Sequence, residues 1–382
     1  MTSPPRFDTH EDVMRHALQI ARQGEGHVEP NPMVGAVLVS DDLQFIADGC
    51  HERVGSAHAE VNALSAAGTQ AKNATLFVTL EPCNHFGRTP PCTQAVIEAG
   101  IKRVFIGATD PAKHMDETGL SVLRQAGIDV HVGLLETEAK QLIAPFAKRM
   151  TMGMPWIIAK WAMTLDGKIA ARTGHSKWIS SKTSRAIVHE LRGRVDAILV
   201  GRGTVIADDP ALTARPSGPR TALRVVLDRK ASTPLDSQLV RTASELPTLI
   251  FASPGAPAEQ VAELRAAGVE VNTQCEDLTA ILKSLADRNC TNVLVEGGGE
   301  VLGSFFDNRH IDEAHVFVAP KIVGGSDSAT PIAGYGLDSI PEMPDLQNLQ
   351  FKQIEQDLYI QGCLRRDPNA EQERKYPQSP RL

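Results

Sequence analysis

A histidine, a glutamate and two cysteines near the start of the chain have the types and spacing of a metal-dependent hydrolytic site. His58 and Glu60 lie in the segment SAHAEVNAL, and Cys83 and Cys92 lie in LEPCNHFGRTPPC. Residues two positions apart on a helix point about 200° apart, so His58 and Glu60 cannot bind one ion side by side. We therefore predict that His58 is a metal ligand and that Glu60 carries protons for something bound to the metal.

The two cysteines allow three interpretations: a pair of metal-binding thiolates, a disulfide, or small apolar residues near a turn. Six cysteines in 382 residues are too few for a disulfide scaffold. The N-terminal segment has no apolar core typical of a signal peptide, so we expect a cytoplasmic location, where thiols stay reduced. The disulfide is therefore the weakest of the three interpretations.

The order of these residues favours the metal site. One neutral imidazole and two thiolates neutralise Zn²⁺ and leave its fourth position for water, whose pKa the metal lowers towards neutrality. The order H-A-E, then P-C, then a second cysteine is the pattern of zinc deaminases, although eight residues rather than two separate the cysteines here. We predict one Zn²⁺ per chain. If Cys92 opens a helix, the N-terminus of that helix favours its thiolate.

A second group of candidate residues lies in the C-terminal half and is typical of phosphate binding. In VEGGGEVLGSFF, a predicted strand runs into Gly297–Gly299 and then into a helix, where backbone amides can approach phosphate oxygens. The segment is not G-x-G-x-x-G, and a tight turn in which side chains would clash explains the glycines nearly as well.

Two further polar segments could line a cleft in the same half, or they are solvated loops. In LVGRGTVIADDPALTAR, Arg215 has the geometry to clamp a phosphate. In KWAMTLDGKIA and GHSKWISS, the candidates are Lys160, Ser176 and Trp178, although a tryptophan in a polar loop is more often a lid or packing residue than a stacking partner.

Alternating helices and strands must position these residues. In the first 150 residues, apolar spacing predicts helices over 10–23, 57–67, 92–100, 116–127 and about 135–150, and strands over 34–40, 44–50, 75–80, 103–108 and 129–133. The alternation predicts a largely parallel sheet flanked by helices.

The alternation begins again after TMGMP, which we interpret as a linker. Strands are predicted over 156–163, 196–201, 223–228, 247–253, 292–298, 313–323 and 351–364, and helices over about 181–193, 257–267, 277–288 and 299–307. We therefore predict an α/β protein with domains over 1–150 and 151–366. The polar segment 367–382 is predicted to be a disordered tail.

Composition and charge argue against two classes of partner. A net charge of −7 disfavours a broad surface for nucleic acid. No apolar run is long enough to cross a bilayer. We expect a small-molecule substrate, no nucleic-acid or membrane partner, and a homo-oligomer, either a dimer or a tetramer.

The segments NPMVGAV, HAEVNAL and TLEPCNHFGRTPPC, with the C-terminal blocks quoted above, resemble the bifunctional pyrimidine deaminase/reductase family of riboflavin biosynthesis, from about residue 8 to 364. The resemblance implies a cytidine-deaminase-like α/β/α domain followed by a dihydrofolate-reductase-like α/β domain. It also implies roles for five residues of the first domain: zinc binding by His58, Cys83 and Cys92, proton transfer by Glu60, and pyrimidine contact by Asn31.

The spacer between the cysteines departs from the family pattern at one position. Phe86 stands where the family usually has a second histidine. The neighbouring His85 is either a substrate contact or a solvated loop residue.

For the second domain, the resemblance implies an NADPH site and a substrate site. The residues implied to contact NADP are Ala162, Trp178, Thr204, Asp208, Gly298, Gly299, Glu300, Val301, Leu302, Gly303 and Ser304. Those implied to face the substrate are Lys160, Ser176, Arg192, Leu212, Arg215 and Glu296. Arg192 and Arg215 are expected to meet a ribose 5′-phosphate. No local residue identifies the group that reads the 2′-phosphate of NADPH.

The resemblance implies two reactions. In the first, a zinc-bound hydroxide removes the 2-amino group of 2,5-diamino-6-(5-phosphoribosylamino)pyrimidin-4(3H)-one. In the second, NADPH reduces the ribosyl group to a ribityl chain. One alternative is a nucleic-acid or free-nucleoside base deaminase with an accessory nucleotide-binding domain. Another is a nucleotide-sensing protein in which a structural zinc, with four protein ligands, staples the loop 83–92.

Overall fold

The computed structural model describes residues 5–86, 90–111, 119–340 and 346–364. The chain divides into two compact units, one ending at Gly153 and the other beginning at Met154, so the division falls inside TMGMP. The predicted tail, 367–382, lies outside the described residues. Within the described ranges, no helix has the length and apolar character needed to span a membrane.

The N-terminal unit is a five-stranded sheet with helices on both faces. Its described helices are α1 (His10–Ala21), α2 (Ala59–Ala67), α3 (Cys92–Glu98), α4 (Gly119–Gln125), α5 (Glu136–Leu142) and α6 (Ala144–Met152). Its strands are β1 (Gly35–Val39), β2 (Phe45–Cys50), β3 (Thr75–Leu80), β4 (Arg103–Ala108) and β5 (Asp129–Val132), in the order β2-β1-β3-β4-β5. The strands predicted over 75–80 and 103–108 are confirmed at both ends.

Alternating side chains of this sheet build two separate cores. Leu76 and Val78 of β3 pack with the apolar faces of α2, α3 and α4. Phe77, between them in sequence, points to the other face and packs with α1 and α5. Side chains of a strand alternate between the two faces of the sheet, so a strand that is buried throughout serves both layers. The predicted α/β/α arrangement is confirmed.

The prediction of a largely parallel sheet is wrong for half of the strand pairs. The pairs β3–β4 and β4–β5 are parallel, but β1 pairs antiparallel with both β2 and β3. Only residues 40–44 connect β1 to β2, whereas a parallel crossover needs a dozen or more residues. These two strands therefore form an antiparallel hairpin. The single helix predicted over 135–150 is two helices, α5 and α6. They are separated at Ile143, and Pro145 in the first turn of α6 cannot donate a helical hydrogen bond.

The C-terminal unit contains a nine-stranded sheet. Its strands are β6 (Trp156–Thr164), β7 (Ala197–Gly201), β8 (Leu223–Leu227), β9 (Thr248–Phe251), β10 (Glu270–Asn272), β11 (Asn292–Val295), β12 (Glu313–Ala319), β13 (Leu346–Ile354) and β14 (Asp357–Leu364). The described helices are α7 (Lys182–Arg192), α8 (Arg202–Asp208), α9 (Gln238–Arg241), α10 (Ala258–Ala266), α11 (Leu278–Asp287) and α12 (Gly299–Asp307). The strand order is β10-β9-β8-β7-β11-β6-β12-β14-β13.

All pairs from β10 to β12 are parallel, and β14 and β13 add an antiparallel hairpin at one edge. The single strand predicted over 351–364 is therefore wrong. The chain reverses at Glu355, whose φ of 53° lies in the left-handed region, and β13 and β14 run on either side of it. The helices α8 and α9 and the short strand β10 were not predicted.

The parallel strands place the functional segments. Their carboxyl ends meet at one edge of the sheet, where ligands of open α/β sheets bind. Segments leaving β7, β8, β9 and β11 there begin at Arg202, Asp228, Ala252 and Glu296.

Candidate active sites

The three predicted metal ligands of the N-terminal unit lie together. Nδ1 of His58 is 3.2 Å from Sγ of Cys92 and 3.5 Å from Sγ of Cys83. The three ligand atoms all lie within 4.8 Å of one another. Tetrahedral zinc with Zn–N of about 2.05 Å and Zn–S of about 2.3 Å places nitrogen and sulfur roughly 3.5 Å apart. The donor set and its spacing therefore fit a zinc ion.

Local structure explains how the ligands converge. His58 is the N-cap of α2 and has an extended backbone. Cys92 is the first residue of α3, as predicted, and its backbone amide donates a hydrogen bond to Sγ of Cys83, 3.4 Å away. Hydrogen bonds from Cys92 and His58 lower the pKa of the Cys83 thiol. A thiolate is the form that binds a metal.

Glu60 is the second residue of α2 and lies beside the cluster without joining it. In the described part of the chain, the cluster contains His58, Cys83 and Cys92 and no fourth His, Cys, Asp or Glu. Glu60 is only 3% exposed. Burial raises the pKa of its carboxyl group to about 7. A carboxyl group in this state can take up and return a proton near neutral pH, as proton transfer requires.

A histidine that sequence reasoning missed connects Asn31 to the cluster. His51 is 3% exposed, and its ring lies edge-on to that of His58, with centroids 5.3 Å apart. Its Nδ1 lies 3.1 Å from the carbonyl oxygen of Ala57, so Nδ1 carries the proton and donates it. Burial lowers the pKa of His51, which favours the neutral ring. Its Nε2 therefore accepts from Nδ2 of Asn31, 3.1 Å away.

This chain of hydrogen bonds orients the Asn31 amide. The nitrogen faces His51, so the side-chain oxygen is left to accept a hydrogen bond from a ligand. The predicted contact between Asn31 and a pyrimidine stays a prediction. The only sequence signal for His51 was a lone histidine at the end of a strand.

The spacer between the cysteines is described only in part. His85 and Phe86 are both exposed, Phe86 to 79%. Asn84 accepts a hydrogen bond from the hydroxyl of Thr93, which ties this end of the spacer to α3. The segment 87–89 lies outside the described residues, and a substrate contact by His85 stays a prediction.

The C-terminal unit has a cavity of about 1470 Å³. It brings together most of the residues predicted to contact NADP or the substrate. Those that line it are Lys160, Ala162, Ser176, Trp178, Arg192, Thr204, Asp208, Leu212, Arg215, Glu296, Gly298, Gly299, Glu300, Val301 and Ser304. The two predicted residues outside its lining are Leu302, which is buried in the core, and Gly303.

The glycines in the turn after β11 and in the following helix α12 serve two purposes. A Cβ at Gly297 would lie 2.6 Å from Cβ of Val301, and one at Gly303 would lie 2.1 Å from the carbonyl oxygen of Ala333. Packing therefore excludes side chains at these two positions. A Cβ at Gly298 would meet nothing closer than Oγ1 of Thr204 at 3.8 Å, so packing does not require this glycine. Gly298 is the N-cap of α12, and its missing side chain leaves the backbone open to close approach by a ligand.

Three charged side chains form a network inside the cavity. Oε1 of Glu296 accepts a hydrogen bond from Nε of Arg192 at 2.6 Å, and Oε2 accepts one from Nη2 at 3.0 Å. Nζ of Lys160 lies 2.8 Å from the same Oε2. Burial alone would raise the pKa of Glu296, but Arg192 and Lys160 hold it well below its usual range. Two cations and one anion give the network a net positive charge.

The two arginines predicted to meet a phosphate differ in their surroundings. Arg192 is engaged with Glu296, and its Nη1 lies 3.4 Å from the carbonyl oxygen of Thr213. Arg215 is exposed and lines the cavity, and its side chain has no hydrogen bond or ion pair with any residue in the described ranges. Arg215 is therefore the more available phosphate partner.

Trp178 lies at the surface of the cavity and is 64% exposed. The guanidinium carbon of Arg185 lies 4.3 Å from the centroid of its ring, a cation–π contact that covers one part of the indole. Nearby, Ser176 donates a hydrogen bond to Asp208 at 3.2 Å. Arg185, which was not predicted, thus contacts the predicted cavity residue Trp178, and two other predicted residues, Ser176 and Asp208, contact each other.

Both units match known protein families. Residues 7–108 match the cytidine and deoxycytidylate deaminase zinc-binding region. Residues 155–360, more than half of the chain, match the RibD C-terminal domain.

Relatives match along nearly the whole chain. The riboflavin biosynthesis protein RibD of Bacillus amyloliquefaciens is 42% identical over 354 residues, which cover 92% of this chain and 95% of the relative. A solved structure of RibD from Acinetobacter baumannii is 34% identical, with a TM-score of 0.81, and the match covers 93% of this chain and 99% of that one. A diaminohydroxyphosphoribosylaminopyrimidine deaminase/5-amino-6-(5-phosphoribosylamino)uracil reductase from Thermotoga maritima is 37% identical, with a TM-score of 0.80 and coverage of 93% and 98%. The chain therefore belongs to the RibD family of riboflavin biosynthesis proteins.

Proposed function

We propose that this chain is a bifunctional enzyme of riboflavin biosynthesis whose two units carry out successive reactions. The N-terminal unit deaminates 2,5-diamino-6-(5-phosphoribosylamino)pyrimidin-4(3H)-one, and the C-terminal unit reduces the ribosyl group of the product with NADPH. The observation that carries the proposal is the convergence of His58, Cys83 and Cys92 beside the buried Glu60. Membership of the RibD family across both units supports the pairing of the two activities.

In the deaminase unit, His58, Cys83 and Cys92 hold the zinc ion, which when bound supplies a Lewis acid that makes a water molecule more acidic. Glu60 takes one proton from the attacking water and delivers it to the ring nitrogen. It then transfers the second proton, from the added hydroxyl group, to the amino group, which departs as ammonia. Oxygen replaces nitrogen at C2 of the pyrimidine, and ammonia leaves. Asn31 orients the ring through its side-chain oxygen, which His51 holds in place.

In the reductase unit, NADPH when bound supplies the hydride for C1′ of the opened sugar. The residues of the cavity position the two reactants. Arg215 binds the 5′-phosphate, and the positive network of Lys160, Arg192 and Glu296 attracts the anionic substrate. One donor of the Lys160 ammonium contacts Glu296, so its other donors are available to the oxygens of the sugar. The open space at Gly298 admits the cofactor close to the backbone.

Two other functions have less support. A nucleic-acid or free-nucleoside deaminase with an accessory domain is not favoured, because the RibD relatives match both units. A structural zinc would have four protein ligands, whereas three side chains form the cluster in the described part of the chain.

We also propose a cytoplasmic location and a homo-oligomer, a dimer or a tetramer. None of the six cysteines, all of which lie in the described ranges, forms a disulfide, which suits a reducing compartment. The edge strand β13 is exposed along most of its length and carries Phe351, 64% exposed, so another chain could pair with it. Analytical ultracentrifugation of the purified chain measures the oligomeric state, and a monomer would contradict this part of the proposal.

The decisive experiment is incubation of the purified protein with the diaminopyrimidine phosphate, followed by mass spectrometry. Without NADPH, we expect oxygen to replace the amino group, with release of ammonia. With NADPH, we expect the addition of two hydrogens to that product. A substrate that is unchanged in both incubations, with zinc bound to the protein, would overturn the proposed function.

A further inference from the structure

We propose that His189 binds the phosphate monoester of the substrate through Nε2 and takes up a proton when it does so, which couples substrate affinity to pH. This inference rests on the proposed reductase function and names a further residue, and a form of regulation, within its substrate site. His189 was not among the residues predicted from the sequence, and it lines the cavity that also contains Arg192 and Arg215.

One face of α7 supplies basic side chains to this part of the cavity. Arg185, His189 and Arg192 follow one another at spacings of four and three residues, so they share one side of the helix. All three line the cavity. His189 and Arg192 both contact the carbonyl oxygen of Thr213, which precedes Arg215 by two positions in the loop after α8. The helix thus places an imidazole and a guanidinium beside the arginine that is expected to meet the phosphate.

The hydrogen bond to Thr213 fixes the tautomer of the imidazole. Nδ1 of His189 lies 3.1 Å from the carbonyl oxygen of Thr213, so Nδ1 carries a proton and donates it. Nε2 is then the nitrogen that can gain a proton. Within the described ranges, the half-buried ring of His189 has no other hydrogen bond. Nε2 is therefore available to a ligand in the cavity.

The loop that faces His189 is held against α7. A Cβ at Gly218 would lie 2.5 Å from Cα of Gly193, so the loop approaches the C-terminal end of α7 more closely than a side chain allows. The amide of Arg220 donates a hydrogen bond to the carbonyl oxygen of Gly193 at 2.9 Å. Together with the bond between His189 and Thr213, these contacts fix the loop and the helix before a ligand binds, which lowers the entropic cost of binding.

The charges around the ring make its protonation depend on the ligand. Burial lowers the pKa of His189, and so do the guanidinium groups of Arg192 and Arg215. The hydrogen bond to Thr213 and the carboxylate of Glu296 act in the opposite direction, but the pKa stays below its ordinary value, so the ring of the free protein is neutral at pH 7 and above. A bound phosphate monoester carries between one and two negative charges and offers three acceptor oxygens. It offsets the two arginines and accepts from a protonated Nε2, so binding raises the pKa of His189 and draws a proton from the solvent.

The direction of the pH dependence follows from this linkage. A group whose pKa is higher in the complex than in the free protein adds affinity below its free pKa, and the addition is lost as the pH rises through the pKa of the complex. We therefore expect the contribution of His189 to be largest near about pH 6 and to be lost by about pH 9. The two arginines stay charged throughout this range, so their contributions do not change with pH.

The test measures binding of ribose 5-phosphate to the full-length, zinc-loaded protein by calorimetry in buffers of different ionisation enthalpy, which reports proton uptake. The variant is His189→Asn, because the asparagine amide can replace Nδ1 as donor to Thr213, whereas nothing replaces Nε2. The phosphate itself titrates near about pH 6, so the wild type is compared with the variant at each pH. His131→Asn removes an exposed histidine of the N-terminal unit and should behave as wild type.

We expect the wild type to take up more protons than His189→Asn at neutral pH. At about pH 6 it should bind ribose 5-phosphate roughly tenfold more tightly, the contribution of one charge-assisted hydrogen bond. At about pH 9 the two affinities should be equal. In steady-state reduction of the deaminated substrate at acidic pH, the variant should raise the KM for that substrate and leave the KM for NADPH unchanged.

Equal proton uptake in wild type and His189→Asn, or a loss of affinity that does not depend on pH, would overturn the inference while the wild-type reductase activity stands. That result is expected if the imidazole only holds the loop, or if Nε2 accepts a hydrogen bond from a sugar hydroxyl. A wild-type protein that neither binds ribose 5-phosphate nor reduces the deaminated substrate would contradict the proposed function and, with it, this inference.

Discussion

Glu296 and Arg192 form a bidentate ion pair within the reductase cavity, with Nε and Nη2 of the arginine 2.6 and 3.0 Å from the carboxylate oxygens. The side chains are only 5% and 14% exposed. Lys160 contacts the same carboxylate. Loss of the negative charge of Glu296 would therefore leave two cations, Lys160 and Arg192, without a counter-ion in a poorly solvated place. This relationship makes Glu296 a structural requirement of the site, in addition to the substrate-facing role predicted for it.

We predict that Glu296→Gln destabilises the C-terminal unit by about 3–5 kcal/mol at neutral pH. The pKa of Glu296 is depressed in the folded state, so its stabilisation is present above the ordinary carboxyl pKa of 4.5 and is lost as the pH falls below it. The difference in unfolding free energy between wild type and variant should therefore shrink from pH 7 to about pH 3, which lies well below the ordinary carboxyl pKa. Chemical denaturation at both pH values measures it, with the exposed Glu276→Gln as control. A difference independent of pH would contradict the assignment.

Glu60→Gln tests the proton carrier of the deaminase. We expect this variant to lose deaminase activity by roughly 10²- to 10⁴-fold, because an amide of the same shape cannot take up the proton. Zinc content and reduction of the deaminated substrate should be retained, since Glu60 is not part of the ligand cluster. Ammonia release, atomic absorption and NADPH oxidation measure the three quantities. Glu52→Gln alters an exposed glutamate nearby and should behave as wild type, whereas full deaminase activity in Glu60→Gln would remove this role.

Removal of one thiolate should separate the two activities. We predict that Cys92→Ser binds zinc much more weakly and loses deaminase activity, because two of the three protein ligands remain. Reductase activity should persist, since none of the cluster residues lines the reductase cavity. Cys363→Ser is the control, a cysteine outside the cluster whose replacement should leave the zinc content unchanged. An equal zinc content in Cys92→Ser and wild type would refute the ligand assignment.

The cluster of His58, Cys83 and Cys92 was predictable from sequence because the chemistry restricts these residues locally. His58 caps a helix and Cys92 begins one, so short segments already place the donors at element boundaries. His51 was not predictable in this way. Its role depends on Asn31 and Ala57, which only the folded chain brings to its two ring nitrogens.

The reductase site shows the same division between local and tertiary information. The strand–glycine–helix pattern correctly located the turn at Gly298. It could not show that a side chain has room at Gly298 but would clash at Gly297 and Gly303. The clash at Gly303 involves Ala333, thirty positions later in the chain. No sequence signal marked Arg229 and Lys230, because only the strand order brings their turn to the cavity that Lys160 also lines. The antiparallel pairing of β1 and β3 was likewise invisible to local alternation.

Arg224 provides a test of stability away from both sites. This residue of β8 is 1% exposed and donates hydrogen bonds to the carbonyl oxygens of Leu239 and Leu246 and to the hydroxyls of Thr242 and Thr248. It therefore joins the sheet to the segment that includes α9. Arg224→Met keeps much of the apolar volume but leaves two carbonyl groups without this donor, at a cost of about 1–3 kcal/mol each.

We expect the melting temperature of the C-terminal unit to fall in Arg224→Met, and differential scanning calorimetry measures the shift. The exposed Arg241→Met changes the net charge equally and should leave the melting temperature nearly unchanged, since surface substitutions usually alter stability by less than about 0.5 kcal/mol. A similar shift in both variants would show that the loss of one positive charge, and not of the buried hydrogen bonds, determines the effect. Zinc content should be the same in both, because Arg224 lies in the unit that does not contain the zinc ligands.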